Sequence, residues 1–122
     1  MQFNESQPIY LQVVLQIKKE IVTGKKKNGE KLKSGRELAL EYHINPNTAA
    51  RVYQTLEAEG VAFTKRGLGT FVTEDTAVNV SLRKELAADF IARFKKDMSE
   101  LGYTEDEMRD LLSLIHISEP TR

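Results

Sequence analysis

The 122-residue chain contains no cysteine and only two histidines. The absence of cysteine excludes disulfides and thiolate metal sites, and it is compatible with a reducing cytoplasm. No apolar run approaches the roughly 18 residues needed to cross a bilayer, and the N-terminus has no signal-peptide pattern. We therefore expect a soluble, cytoplasmic protein made of one small domain and an extension.

The sequence also lacks the common catalytic motifs. It has neither a Gly-x-Ser-x-Gly elbow nor a Gly-x-x-x-x-Gly-Lys-Ser/Thr loop, and Gly67-Leu68-Gly69 lacks the third glycine of a dinucleotide loop. His43 lies at a predicted turn and His116 lies near the C-terminus. Two histidines so placed make no credible metal site. We predict that the chain is not an enzyme and uses neither a metal nor a cofactor.

The formal net charge of zero is divided unevenly along the chain. Residues 1–74 carry 11 Lys and Arg against 8 Asp and Glu, whereas residues 75–122 carry 7 against 10. Part of the basic charge lies in one lysine-rich segment, formed by Lys25, Lys26, Lys27, Lys31 and Lys33. Such a segment fits either contact with phosphates or an ordinary solvated loop.

The tetrapeptide Asn45-Pro46-Asn47-Thr48 predicts the start of a helix, with Asn45 as N-cap and Pro46 at N1. The residues at helical spacing that form its inward stripe are Ala49, Val52, Tyr53 and Leu56. Asn47, Thr48 and Arg51 then share the outward face. Amide, hydroxyl and guanidinium groups suit base edges in a DNA major groove, although a solvated helix face has the same composition.

A second helix is predicted just upstream. Ser34 and Glu37 have the spacing of a capping box, so a helix should start at Ser34. Its predicted inward residues are Leu38, Ala39 and Tyr42. The short link through His43 and Ile44 forces the two helices to cross, which places Arg36 where a DNA backbone would lie. A lone surface arginine is the alternative.

Downstream, two β-prone runs at residues 61–64 and 70–73 flank the segment from Lys65 to Gly69. This pattern predicts a hairpin with a basic tip. Lys65 and Arg66 supply charge for phosphates or a narrow minor groove, and Gly67 and Gly69 permit close approach of the backbone. Taken alone, such a hairpin can also be a solvated turn.

The remaining helices are amphipathic. The first should run from Pro8 to about Thr23 and end at Gly24. After a linker at residues 74–79, another should begin near Ser81 and end at Gly102. Its apolar stripe consists of Leu82, Leu86, Phe90, Phe94, Met98 and Leu101.

A capping box formed by Thr104 and Glu107 predicts a last helix, so the C-terminal part should be a helical hairpin with one exposed apolar side. Two copies facing each other would bury that side, and folding back onto the chain's own core is the alternative. Residues 113–122 do not continue the amphipathic pattern. They resemble translated adapter or vector sequence, so we interpret them as a non-native tail.

In this order and spacing, the motifs resemble the DNA-binding domain of the GntR family of bacterial transcription regulators, over about Pro8 to Val72. The segments that carry the resemblance are residues 8–10, 29–32, 34–39, 45–49, 56–60 and 67–72. The short C-terminal extension is similar to that of the YtrA-like subgroup, whose members have a small helical dimerisation element. The chain departs from the family at Lys33, where proline is usual, at Gly35 and at Leu68.

The resemblance implies a fold that is mainly α with a small β-hairpin, namely a winged helix-turn-helix at residues 1–74 followed by a helical dimerisation element at residues 75–112. The residues implied in DNA contact are Arg36, Asn45, Asn47, Thr48, Arg51, Lys65, Arg66, Gly67 and Gly69. The predicted function is a dimeric, sequence-specific DNA-binding regulator, in particular a repressor of an inverted-repeat operator. The alternative is a protein-interaction module that uses its C-terminal apolar helix.

Overall fold

A computed structural model describes residues 1–118 of the chain. The elements, in chain order, are α1 (Ile9–Val22), α2 (Gly35–Tyr42), α3 (Pro46–Ala58), β1 (Ala62–Lys65), β2 (Gly69–Val72), α4 (Thr76–Glu100) and α5 (Glu105–Ser118). This confirms the predicted fold class of helices with one β-hairpin. The side chains of residues 116–118 and the whole of residues 119–122 lie outside the description, and so do the predictions for His116 and for the end of the tail. The chain divides into two compact units, Met1–Arg83 and Lys84–Arg122.

The core of the first unit lies between α1, α2, α3 and the hairpin. Val13 of α1 and both Val52 and Leu56 of α3 have no exposed surface. Burial of these side chains supplies most of the free energy that holds the helices together. Helix α1 begins one residue later than predicted, because Pro8 occupies the N-cap instead of N1.

Both predicted caps at the crossing helices are confirmed. The Glu37 backbone N–H donates to Ser34 Oγ at 3.1 Å, and the Ser34 N–H donates to Glu37 Oε1 at 2.9 Å. Helix α2 ends at His43, which has the left-handed backbone conformation (φ +54°) and so turns the chain abruptly. Asn45 then caps α3, since its Oδ1 accepts the Asn47 N–H at 2.7 Å.

The hairpin pairs β1 with β2 in antiparallel register, from Ala62 opposite Val72 to Lys65 opposite Gly69. Lys65 and Gly69 therefore belong to the strands, and the tip is shorter than the sequence predicted. Gly67 has a φ of +79°, a conformation that few residues other than glycine adopt, as this tight turn requires. A third segment that the sequence did not reveal pairs with the other edge of β2 through a bridge between Lys31 and Phe71.

The predicted linker at residues 74–79 is wrong from Thr76 onward, because α4 starts there and not near Ser81. Asp75 explains the early start. Its Oδ1 accepts the Ala77 N–H at 2.9 Å, and its backbone carbonyl accepts the Val78 N–H at 3.1 Å. A side chain that satisfies the first free amides of a helix acts as an N-cap.

The second unit consists of the later part of α4 and α5, joined by a tight turn. The turn contains Gly102 (φ +88°), and the predicted capping box is formed by Thr104 and Glu107, whose two hydrogen bonds measure 2.9 and 3.2 Å. Helix α5 continues past Leu112 to Ser118, since no helix breaker occurs before Pro120. The interpretation of residues 113–122 as a non-native tail stays a prediction.

Candidate nucleic-acid interface

Helix α3 presents its polar residues outward, as its sequence period predicts. Asn47 and Arg51 are exposed and Thr48 is half-buried, whereas Ala49 and Val52 on the opposite side have no exposed surface. Asn47 and Arg51 lie four residues apart, so their side chains are neighbours on one face of the helix. The aliphatic packing therefore orients an amide, a hydroxyl and a guanidinium group toward whatever lies outside.

Arg51 is held by an aromatic residue of another helix. Its guanidinium carbon lies 3.8 Å from the centroid of the Tyr10 ring, which is the distance of a cation–π contact. Because the ring covers one flat face of the guanidinium, the N–H groups at the edge stay free to donate in the plane. The sequence assigned Tyr10 only to the apolar side of α1, and helical periodicity gives no sign of a partner on α3.

Asn45 and Arg36, the other predicted contact residues of the two helices, lie at the beginnings of α3 and α2. The side-chain oxygen of Asn45 is used in capping, so its amide NH2 group is the part available to a ligand. Arg36 is exposed in the first turn of α2. Beside it, the backbone and hydroxyl of Ser34 hold the pKa of the Glu37 carboxyl below its ordinary value, with smaller contributions from Lys33 and Lys31.

The hairpin carries the predicted basic residues at its end. Arg66 and Gly67 lie in the exposed turn, which a hydrogen bond of 2.9 Å from the Leu68 N–H to the Lys65 carbonyl closes. A side chain at Gly67 would meet no atom within 4 Å, so open space surrounds it. The Lys65 ammonium lies 5.0 Å from the Phe71 ring centroid, within cation–π range.

Hydrogen bonds connect α3 to the elements on both sides of it. On one side the buried Tyr53 hydroxyl donates to the Lys33 carbonyl, and on the other the Thr64 hydroxyl of β1 donates to the Glu57 carboxylate. Burial raises the pKa of the Tyr53 hydroxyl, and the nearby carboxylates of α2 raise it further. These bonds connect α3 to the segment before α2 and to the hairpin.

Residues 1–118 contain neither a cluster that could hold a metal ion nor a helix that could span a membrane. No group of three or more His, Cys, Asp or Glu side chains there is arranged to hold a metal ion. Within the same range, no helix has the combined length and apolarity needed to span a bilayer.

Comparison with known proteins places this geometry in a family. Residues 9–72 match the family model described as "Bacterial regulatory proteins, gntR family". The chain is 41% identical over 107 residues to the uncharacterised HTH-type transcriptional regulator YhcF of Bacillus subtilis, which covers 88% of each protein. It is also 46% identical over 70 residues to the HTH-type transcriptional repressor YtrA of the same organism, covering 57% of this chain and 54% of YtrA.

Solved structures agree with the sequence comparison. A GntR family transcriptional regulator from Listeria monocytogenes is 38% identical and superposes with a TM-score of 0.81, over 91% of this chain and 97% of that one. The DNA-binding domain of AraR, solved in complex with operator ORX1, is 27% identical over 60% of this chain and 89% of its own, with a TM-score of 0.54. The named relatives are regulators and not enzymes. The chain belongs to the GntR family of bacterial transcription regulators and, within it, to the YtrA-like subgroup.

Proposed function

We propose that this DNA-binding transcription regulator is a cytoplasmic homodimer that represses a promoter by occupying an inverted-repeat operator. The observation that carries the proposal is the outward polar face of α3, where Asn47, Thr48 and Arg51 lie together above a buried aliphatic stripe. Asparagine and arginine side chains form bidentate hydrogen bonds with base edges in the major groove. Arg51, kept in place by Tyr10, presents its donors for such a contact.

The other DNA-contact residues then have distinct roles. Arg36 and the Asn45 amide lie at helix starts and would bind the backbone or an adjacent base. Lys65, Arg66, Gly67 and Gly69 would bring the hairpin against phosphates or into the minor groove. The AraR complex with its operator supports DNA as the partner of this fold. The repressor name of YtrA supports repression.

The second unit supports dimerisation. Its apolar groove, of about 420 Å³, is lined mainly by side chains of α4 and α5, namely Phe90, Ile91, Phe94, Lys95, Glu105, Met108, Arg109 and Leu112. Ile91 and Leu112 are about half exposed or more. A second copy that presents the same apolar surface would cover both by twofold symmetry. A dimer can then address two half-sites about one helical turn of DNA apart.

The residues of the predicted dimerisation stripe differ in how far they are exposed. Leu82 and Leu86 are buried within the chain itself, at 2% and 7% exposure. Phe94 and Met98 are partly covered, whereas Phe90 and Leu101 remain largely exposed. The surface that we propose for the partner therefore starts at Phe90 and includes the outer side of α5.

Selection of bound fragments from a random duplex library tests the proposal directly. We expect an inverted repeat to be recovered by the full chain. Arg51→Ala should then lose about 1–3 kcal/mol of binding free energy on that duplex and relax the preference at one base pair, whereas Lys65→Ala should weaken all duplexes alike. Failure to enrich any duplex, together with monomeric light scattering, would contradict the proposal and favour a protein-interaction module.

A further inference from the structure

The lysines of the segment from Lys25 to Lys33 are not equivalent in the structure. Lys26 forms an ion pair with Glu20 at 3.6 Å, and Lys33 forms one with Glu41 at 3.1 Å. Lys31 is exposed, and in the part of the chain that the structure describes no carboxylate lies within ion-pair distance of it. Within residues 1–118, three lysines of the segment therefore lack such an ion pair, namely Lys25, Lys27 and Lys31.

The backbone at Lys31 is fixed against the hairpin. Lys31 forms a bridge with Phe71 of β2, flanked by a hydrogen bond of 2.8 Å from the Leu32 N–H to the Thr70 carbonyl. A second bond of 2.9 Å runs from the Val72 N–H to the Glu30 carbonyl. Directly opposite residues of an antiparallel pair project to the same face, so Lys31 and Phe71 share a face of the sheet.

The side chain of Lys31 runs along that face toward the end of the hairpin. A Cβ atom added at Gly69 would lie 2.9 Å from Lys31 Cε and 3.7 Å from Nζ. Gly69 thus leaves the space that the lysine side chain occupies. Lys65, which is paired with Gly69 in the strand register, extends its ammonium over the Phe71 ring on the same face. The side chains of Lys31 and Lys65 therefore share one face of the hairpin.

Lys31 is also electrostatically coupled to α2. It is among the positive groups that add to the lowered pKa of Glu37, after the two Ser34 hydrogen bonds and Lys33. Glu37 lies in the first turn of α2, next to exposed Arg36. The Lys31 ammonium thus lies beside the hairpin and acts electrostatically on a carboxylate at the start of α2, and both elements are proposed to contact DNA.

We propose that Lys31 binds a phosphate of the DNA backbone and thereby connects the contacts of the hairpin with those of α2. The proposal rests on the proposed function, because it presumes a DNA duplex across this surface. A phosphate at this position would form an ion pair with a cation that has no carboxylate within ion-pair distance in residues 1–118. Gly69 has a φ of +124°, which favours glycine, and a side chain added there would also push the flexible end of Lys31 aside.

The test compares Lys31→Gln with the matched control Lys25→Gln in the full chain. Lys25 lies in the same segment, is exposed and loses the same charge on substitution. Binding is measured by fluorescence anisotropy at KCl concentrations from about 50 to about 200 mM. Over this range the affinity of a protein that contacts several phosphates falls strongly. Two probes are used, a duplex selected from the random library and a scrambled duplex of equal length.

We expect Lys31→Gln to weaken both duplexes several-fold and equally, because a phosphate contact carries no sequence information. The slope of log affinity against log salt should decrease by about 0.9, the value for one released counterion. Lys25→Gln should leave affinity and slope unchanged. Equal effects of the two substitutions would overturn the proposal in favour of a diffuse field, and so would an unchanged slope for Lys31→Gln.

A double-mutant cycle with Gly69→Ala tests the role of the glycine. If Gly69 makes room for Lys31, then Lys31→Gln should cost less affinity in the Gly69→Ala background than in the wild type. Additive losses would contradict the role assigned to Gly69. Binding of the wild type to the selected duplex separates failure of this inference from failure of the proposed function. If the wild type does not bind, the proposed function is wrong. If the wild type binds and Lys31→Gln binds equally well, only the inference about Lys31 is wrong.

Discussion

The two compact units differ in how far the apolar stripes of their helices are buried. In the first, Val13, Val52 and Leu56 are completely buried by their own unit, and polar groups face outward from α3. In the second, Ile91 and Leu112 retain 59% and 49% exposure. The first unit therefore combines a buried core with a polar surface on α3, whereas the second exposes the apolar surface that we propose as the dimer interface.

The largest effect is expected from a charge in the exposed groove. Ile91→Asp removes apolar burial worth about 1.5–3 kcal/mol per side chain, and the change occurs twice in a symmetric dimer, so dimerisation should weaken by about 3–6 kcal/mol. Light scattering over a concentration series measures the effect. Leu40→Asp, at an exposed leucine of α2, is the control and should stay dimeric. A variant Ile91→Asp that remains dimeric at micromolar concentration would remove the contrast between the units.

The next effect concerns the completed core of the first unit. Leu56→Ala deletes a side chain with no exposed surface, so the free energy of unfolding should fall by about 2–5 kcal/mol. Leu40→Ala removes the same atoms where they are 71% exposed and should change stability by no more than about 0.5 kcal/mol. Urea denaturation followed by circular dichroism distinguishes them. Similar losses at both positions would contradict the assignment of the core.

A smaller loss of stability is expected at the border between core and polar surface. Ser34→Ala removes the hydroxyl that accepts the Glu37 N–H but keeps the backbone N–H that donates to the Glu37 carboxylate, and it should cost about 1 kcal/mol at neutral pH. The pKa of Glu37 is lowered in the folded chain, so the stability from its bond to the Ser34 N–H is fully present above its ordinary value of 4.5 and is lost as pH falls through the lowered pKa.

The difference in stability between wild type and Glu37→Ala should therefore shrink as pH falls below 4.5. Urea midpoints measured for both proteins from neutral pH down to about pH 3 report this directly. A difference that stays constant over that range would show that the charged carboxylate does not contribute to the cap.

The smallest effect is expected at Tyr10, and it should change DNA binding more than stability. Tyr10→Ala removes the ring beneath the Arg51 guanidinium, which is worth about 0.5–1 kcal/mol at an exposed site, and should lower the affinity for the selected duplex by that amount. Tyr10→Phe keeps the ring and should bind like the wild type. If Tyr10→Phe loses as much affinity as Tyr10→Ala, the hydroxyl and not the ring carries the effect.

Much of the fold follows from local patterns in the sequence. The caps at Ser34, Asn45 and Thr104 depend on residues three positions apart or fewer, and short-range hydrogen bonds of this kind are readable from spacing. The inward stripe of α3 follows from helical periodicity in the same way. The start of α4 was missed because Asp75 was interpreted as part of a polar linker, although aspartate also caps helices.

The contacts that sharpen the site could not be predicted, because they join residues far apart in the chain. Tyr10 meets Arg51 across two helices, and Lys31 lies against Gly69 through a bridge to the other edge of β2. No periodicity relates such positions. The burial of Leu82 and Leu86 was likewise hidden, since an apolar stripe does not tell which of its members the chain covers by itself.

The hydrogen bond from the Tyr53 hydroxyl to the Lys33 carbonyl has a consequence for the conditions under which the regulator works. A phenol donates only while it keeps its proton, and burial raises the pKa of Tyr53 above the ordinary value of about 10. Neither acidification nor mild alkalinity therefore removes the proton with which Tyr53 connects α3 to the segment before α2. Any sensitivity of operator binding to cellular pH must then originate in groups other than this phenol.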